Sequence, residues 1–169
     1  MRVPTRRVPT SYAGSGAGGA RPVMLATLGV PFVEAAVAVA VDGAVETGRP
    51  LIVANVTRID PFSLSVVMGY DALEEFTPEV SASTRRPAEI AAAFGLEVER
   101  LRVRSPRPVT ALLELVRERR PGFLVFGPDP DRLSPRRFRK AAAALRANNP
   151  CLVWMAGDPD RRDEIGGVD

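Results

Sequence analysis

The sequence predicts an α/β domain in which a parallel sheet is covered by helices on both faces. Short apolar runs of strand length alternate with stretches of helical spacing along the chain from Pro22 to Met155. Glycine and proline punctuate the junctions, at Gly29, Gly48, Gly95 and Pro121-Gly122. The last third, Phe123 to Met155, reads as a complete strand–loop–helix–strand unit. Alternation of this kind calls for right-handed crossovers and leaves a ligand crevice outside the carboxyl ends of the strands, where the strand order reverses.

In chain order, Val23-Met-Leu-Ala-Thr-Leu28 is the first strand, ended by Gly29. Pro31 to Glu46 is expected to be a helix, with Pro near its first turn and a stop at Gly48. Leu51-Ile-Val-Ala-Asn-Val56 is the second strand. Asp60 to Glu79 is broken by Pro61, Gly69 and Pro78 but carries Phe62, Leu64, Val66, Tyr70, Leu73 and Phe76, and is expected to be an irregular excursion with a short helix. A helix follows over Thr84 to Phe94. Leu96 to Val103 then alternates apolar and charged residues, the period of a half-exposed strand at a sheet edge. Val109, Leu112, Leu113 and Val116 set a helix over Pro108 to Arg119. Phe123 to Gly127 is a buried strand, Pro128 to Leu133 a loop, Ser134 to Asn148 a helix and Cys151 to Met155 the last strand.

The 169 residues, 46% of them hydrophobic and 25% charged, suit one domain with a substantial core. Residues 22–156 are assigned to that domain. Met1 to Ala20 is rich in Gly, Ser, Thr, Pro and Arg, so residues 1–21 are expected to be a disordered basic tail, and residues 157–169 a flexible charged one. The formal net charge of +3 comes from the first tail: residues 22–169 carry 19 basic and 20 acidic side chains, a balance of −1. Bulk charge therefore argues against nucleic acid as a partner, and four arginines on the tail offer only a weak, salt-sensitive contact. The pair Arg6-Arg7 lacks the apolar core that an export signal needs after it, and the apolar run from Pro22 meets Glu34 too soon to span a membrane. No membrane association and a cytoplasmic location are the expectations.

The chain has no His, which excludes His-dependent triads and His-ligated zinc, and its single Cys excludes an internal disulfide. Cys151, with no basic partner beside it in sequence, reads as a small buried apolar residue. Asp129 and Asp131 are the acids nearest the expected crevice, which is thin support for hydrolysis, so an enzymatic role ranks last. Between Gly127 and the helix start, Ser134 reads as an N-cap and Pro135 as a first-turn residue, with Arg132, Arg136, Arg137, Arg139 and Lys140 close by. Pro130 has no N–H to donate, and Pro128 and Pro130 limit how the loop can wrap a phosphate.

Val23-Met-Leu-Ala-Thr-Leu-Gly29, with Leu124-Val-Phe-Gly127 and Asn149-Pro-Cys-Leu-Val153 much later, resembles the universal stress protein family over about residues 22–156. The resemblance implies a five-stranded parallel sheet in the order 3-2-1-4-5 and, in many members, ATP bound between the first and fourth strands. It also departs from the family. Nucleotide-binding members usually end the first strand with an acid before glycine, where this chain has Leu28. Their glycine, two residues, glycine, nine residues, glycine, Ser/Thr pattern puts Pro130 at the second glycine when counted from Gly127, and Lys140-Ala141 at the final pair. Counting back from Cys151 puts Arg139-Lys140 there instead.

The reading that follows is a universal-stress-protein-like regulatory or interaction domain without a classical ATP site, and with no required cofactor. The alternative is a regulator that binds ATP or another adenine nucleotide through Thr27, Gly29, Val56, Gly127 and Ser134, with Arg136, Arg139 and Lys140 substituting for the lost glycines. In the resembling family the last strand lies at the sheet edge and pairs in a dimer. A homodimer through Cys151, Leu152, Val153, Trp154 and Met155 is therefore expected, besides an unidentified protein partner.

Overall fold

The computed structural model describes residues 20–59, 78–149 and 151–156. Residues 1–19 of the expected N-terminal tail, the whole expected C-terminal tail and most of the expected excursion at residues 60–79 lie outside these residues.

Five parallel strands form one sheet in the order β3-β2-β1-β4-β5, the order that the family resemblance implied. They are β1 (Val23–Thr27), β2 (Leu51–Arg58), β3 (Val98–Ser105), β4 (Phe123–Phe126) and β5 (Leu152–Met155). Between them run α1 (Glu34–Thr47), α2 (Pro78–Ala93), α3 (Pro108–Arg119) and α4 (Pro135–Asn148). All of β1 and the first six residues of β2 are buried, which is why these strands read as continuous apolar runs. Val23 stands beside Leu51 on one side and Phe123 on the other, so the central strands start level and their carboxyl ends come together.

The two faces have separate cores. Met24, Ala26, Ile52, Leu124 and Phe126 point toward α3 and α4, where Leu112, Phe138 and Leu145 meet them. Val23, Leu25, Val53 and Val125 point toward α1 and α2. On α1 the buried residues are Ala36, Ala40, Val41 and Ala44, small enough to let the helix lie close on the sheet. Gly127 completes that approach, because a Cβ there would collide with the Cβ of Ala36.

Several boundaries differ from the sequence reading, among them the end of β2, which runs two residues past the expected Val56. α1 starts at Glu34, with Val33 as an N-cap that makes no side-chain bond, and Pro31 lies in the preceding loop. α2 starts six residues before the expected Thr84, at Pro78, and carries Pro87 inside it. β3 is shifted two residues along the chain from the expected Leu96–Val103 and does lie at the sheet edge. α1 ends where expected, on Gly48 in the left-handed region at φ 61°. Among the described residues, no helix is long and apolar enough to cross a membrane.

Candidate functional site at the carboxyl end of the sheet

The switch point of the sheet lies between β1 and β4; of the residues expected to serve a ligand, Thr27, Gly29 and Gly127 stand there, Val56 lies on β2, and Arg136, Arg139 and Lys140 lie along α4. Thr27 is fully buried and its Oγ1 donates to the carbonyl of Val30 at 3.0 Å, so the hydroxyl shapes the loop after β1. Leu28 is buried as well, in the core on the α3 and α4 side. Gly29 needs glycine for its φ of 72°, and its N–H donates to Asn55 Oδ1 at 2.8 Å. Asn55 in turn donates through Nδ2 to Ser83 Oγ on α2, at 3.1 Å. The amide of Asn55 is completely buried and ties three elements together. Val56 is fully buried on the α3 and α4 side.

The loops that leave β1 and β4 are joined across the mouth of the crevice. Val33 N–H donates to the Gly127 carbonyl at 3.1 Å, and Asp129 N–H to the Pro31 carbonyl at 2.9 Å, forming an antiparallel bridge between Phe32 and Pro128. Pro31 therefore serves as an acceptor in this bridge, which explains why the helix begins three residues later than its position suggests.

The β4–α4 loop is closed on itself. Asp129 Oδ1 accepts the N–H of Asp131 at 3.0 Å, and its carbonyl accepts from Arg132 and Leu133. Gly127 N–H goes to the Ala26 carbonyl. Ser134 caps α4 as expected, its Oγ accepting from Arg137 N–H at 3.4 Å and its carbonyl from Phe138 N–H. Pro128, Pro130 and Pro135 have no amide hydrogen. From Gly127 to Phe138, only the amides of Ser134 and Arg136 are without an acceptor inside the protein. A loop that cradles phosphate does so with outward backbone donors, and here nearly all are occupied.

Arg136, Arg139 and Lys140 lie on the solvent side of α4, each exposed, as is Arg137. Between α1 and α2, on the other face of the sheet, lies a cavity of about 600 Å³ walled by Phe32, Val37, Val41, Pro87 and Ile90. Pro31, Ser83 and, from the β4–α4 loop, Arg132 also line it, so this space adjoins the bridged loops at the carboxyl end of the sheet. No group of three or more His, Cys, Asp or Glu suited to a metal occurs among the described residues.

On β5, Cys151, Val153 and Met155 pack against the α3 and α4 side, and Trp154 packs against the α1 and α2 side. Leu152 is 71% exposed. The expected apolar edge therefore has two faces, with Leu152 and Trp154 on one and Met155 on the other. Burial pushes the pKa of the Cys151 thiol up, and the thiol, half-buried where full burial was expected, donates to Asn149 Oδ1 at 3.1 Å, which fits an unactivated cysteine.

No family's sequence profile matches the chain, and no curated protein sequence does. Solved structures do. A universal stress protein crystallised with cAMP is 21% identical, covering 82% of this chain and 98% of its own, with a TM-score of 0.53. The Archaeoglobus fulgidus universal stress protein in complex with dAMP is 16% identical over 80% of this chain and 96% of its own, at a TM-score of 0.54. A universal stress family protein from Burkholderia pseudomallei gives 18% identity, 82% and 98% coverage and a TM-score of 0.52. The chain thus has the fold of the universal stress proteins.

Asn55 is the central residue that sequence reasoning missed. Its signal was present, as one amide inside the apolar run Leu51 to Val56, but Gly29 and Ser83 stand far from it in sequence.

Proposed function

We propose that the protein is a universal-stress-protein-like regulatory or interaction domain that has lost classical ATP binding. The observation that carries this reading is the bridged and self-satisfied pair of loops at the switch point. A nucleotide entering between β1 and β4 would have to break the bonds from Val33 to Gly127 and from Asp129 to Pro31. Its phosphates would then face the carboxylates of Asp129 and Asp131 and find few free amides. The proposed partner is a second copy of the chain, paired along β5, with Leu152 and Trp154 at the contact.

The alternative, an adenine nucleotide held by a modified site, draws support from the cAMP and dAMP complexes of proteins with this fold. It requires Ser134, Arg136, Arg139 and Lys140 to replace a glycine cradle. Isothermal titration of the full chain with ATP and Mg²⁺ separates the two readings. We expect no saturable heat at millimolar ATP. Saturable binding that is lost in Ser134→Ala/Arg139→Glu would overturn the proposal and establish the modified site.

A further inference from the structure

The fold leaves four cations at the start of α4 unbalanced. The helix sequence, Pro-Arg-Arg-Phe-Arg-Lys-Ala-Ala-Ala-Ala-Leu-Arg-Ala-Asn, contains no acid. Arg136, Arg137, Arg139 and Lys140 are all exposed and fall in its first half, and Arg136 and Arg137 lie in the first turn, where the helix dipole disfavours cations. Elsewhere among the described residues arginines meet glutamates, as in Arg85 with Glu89, Arg86 with Glu34 and Arg119 with Glu99. None of the four cations takes part in an ion pair. Of the two acids in the loop, Asp129 accepts the Asp131 amide, and neither forms an ion pair with these cations.

Folding does not require this charge. α4 is held by its other side, where Phe138, Ala141, Ala142 and Leu145 are buried and the Phe138 ring lies 5.5 Å from that of Phe126. The packed side fixes the charged side in place. Arg136, Arg139 and Lys140 are spaced i, i+3, i+4, so their Cβ atoms are surface neighbours about 5–6 Å apart, with Arg137 one position round the helix. The near-neutral balance of residues 22–169 is therefore a segregation of charge, and the bulk value conceals a local surplus.

We propose that this face of α4 is a docking surface for the phosphate backbone of a nucleic acid duplex, bound without regard to base sequence. Three of the four cations are arginines, whose forked donors match phosphate oxygens. The face presents no aromatic side chain on which unpaired bases would stack, which argues against a single-strand platform. Its only exposed apolar residues are Ala143 and Ala147, too small to anchor a helix in a lipid interface. The proposal rests on the reading that no nucleotide occupies Arg136, Arg139 and Lys140, the cations that the modified adenine-nucleotide site would use.

The test is fluorescence anisotropy of a short random-sequence DNA duplex titrated with the full chain over a series of salt concentrations. Micromolar binding at low salt is expected, with a log–log salt slope of about −3 to −4 for four neutralised phosphates. Arg136→Glu/Lys140→Glu should weaken binding by at least about tenfold and make the slope shallower by about 2. Glutamate in the first turn suits the helix dipole, so an unchanged or raised thermal midpoint should accompany that loss. Arg117→Glu/Arg120→Glu, an equal charge change at the far end of the domain, should have a much smaller effect. Absence of binding at low salt, equal loss in the two double variants, or equally tight binding to anionic phospholipid vesicles would each overturn the proposal.

Discussion

Asn55 fills two roles at once: it accepts the N–H of Gly29 and donates to Ser83 from a position with no solvent exposure. Replacing it with an apolar residue leaves the Gly29 amide without its acceptor, and a buried donor in that state costs about 1–3 kcal/mol. Asn55→Val should therefore lower the urea midpoint by a corresponding amount, whereas Ser83→Ala, at a half-buried hydroxyl, should cost less; equal effects from both would show that the Gly29 bond is not the dominant one. The residue scale is also where the sequence was least legible. Thr27, Gly29 and Gly127 do fall at or just past strand ends, whereas Val56 lies two residues inside β2, but composition and spacing give no sign that the polar groups of Thr27, Gly29 and Gly127 are already satisfied by the protein. For Gly29 and Gly127 that depends on partners tens of residues away, which no local pattern encodes.

At the scale of elements, the approach of α1 to β4 is governed by the pair Ala36 and Gly127. Gly127→Ala should destabilise the fold by about 1–3 kcal/mol through overpacking, since neither Cβ can rotate away. Combining it with Ala36→Gly should cost less than the sum of the two single changes, as measured by a double-mutant cycle in urea; strict additivity would mean that the clash is relieved by a shift of the helix. The starts and stops of elements were legible where local chemistry decides them. Ser134-Pro135 opens α4 and Gly48 closes α1 for reasons that the residues themselves carry. Pro31 misled because its carbonyl is recruited by Asp129, a contact made only once β1 and β4 are side by side. Pro78 misled in the opposite direction: it reads as a break in the sequence, and it opens α2.

The architecture of the whole molecule was the most legible feature. Apolar runs too short for helices, separated by stretches of helical spacing, define a layered α/β fold, and the order of strands came from the family resemblance rather than from any residue pattern. Assembly is a question at this scale. With Leu152 71% exposed on an outer strand, the chain should sediment as a dimer at micromolar concentration. Trp154→Asp should convert it to a monomer with its circular dichroism intact, and an unchanged sedimentation coefficient would remove β5 from the contact.

The two outer strands are not alike. β3 carries Glu99, Arg100, Arg102 and Arg104 along its length, the charged character that discourages a neighbouring strand, while β5 carries none. A sheet with one blunt and one adhesive margin has no way to add units at both ends. If the proposed pairing through β5 is made, it uses the same patch on each copy and leaves two repelling margins outermost, so growth would terminate at a closed, two-fold particle instead of continuing into a filament.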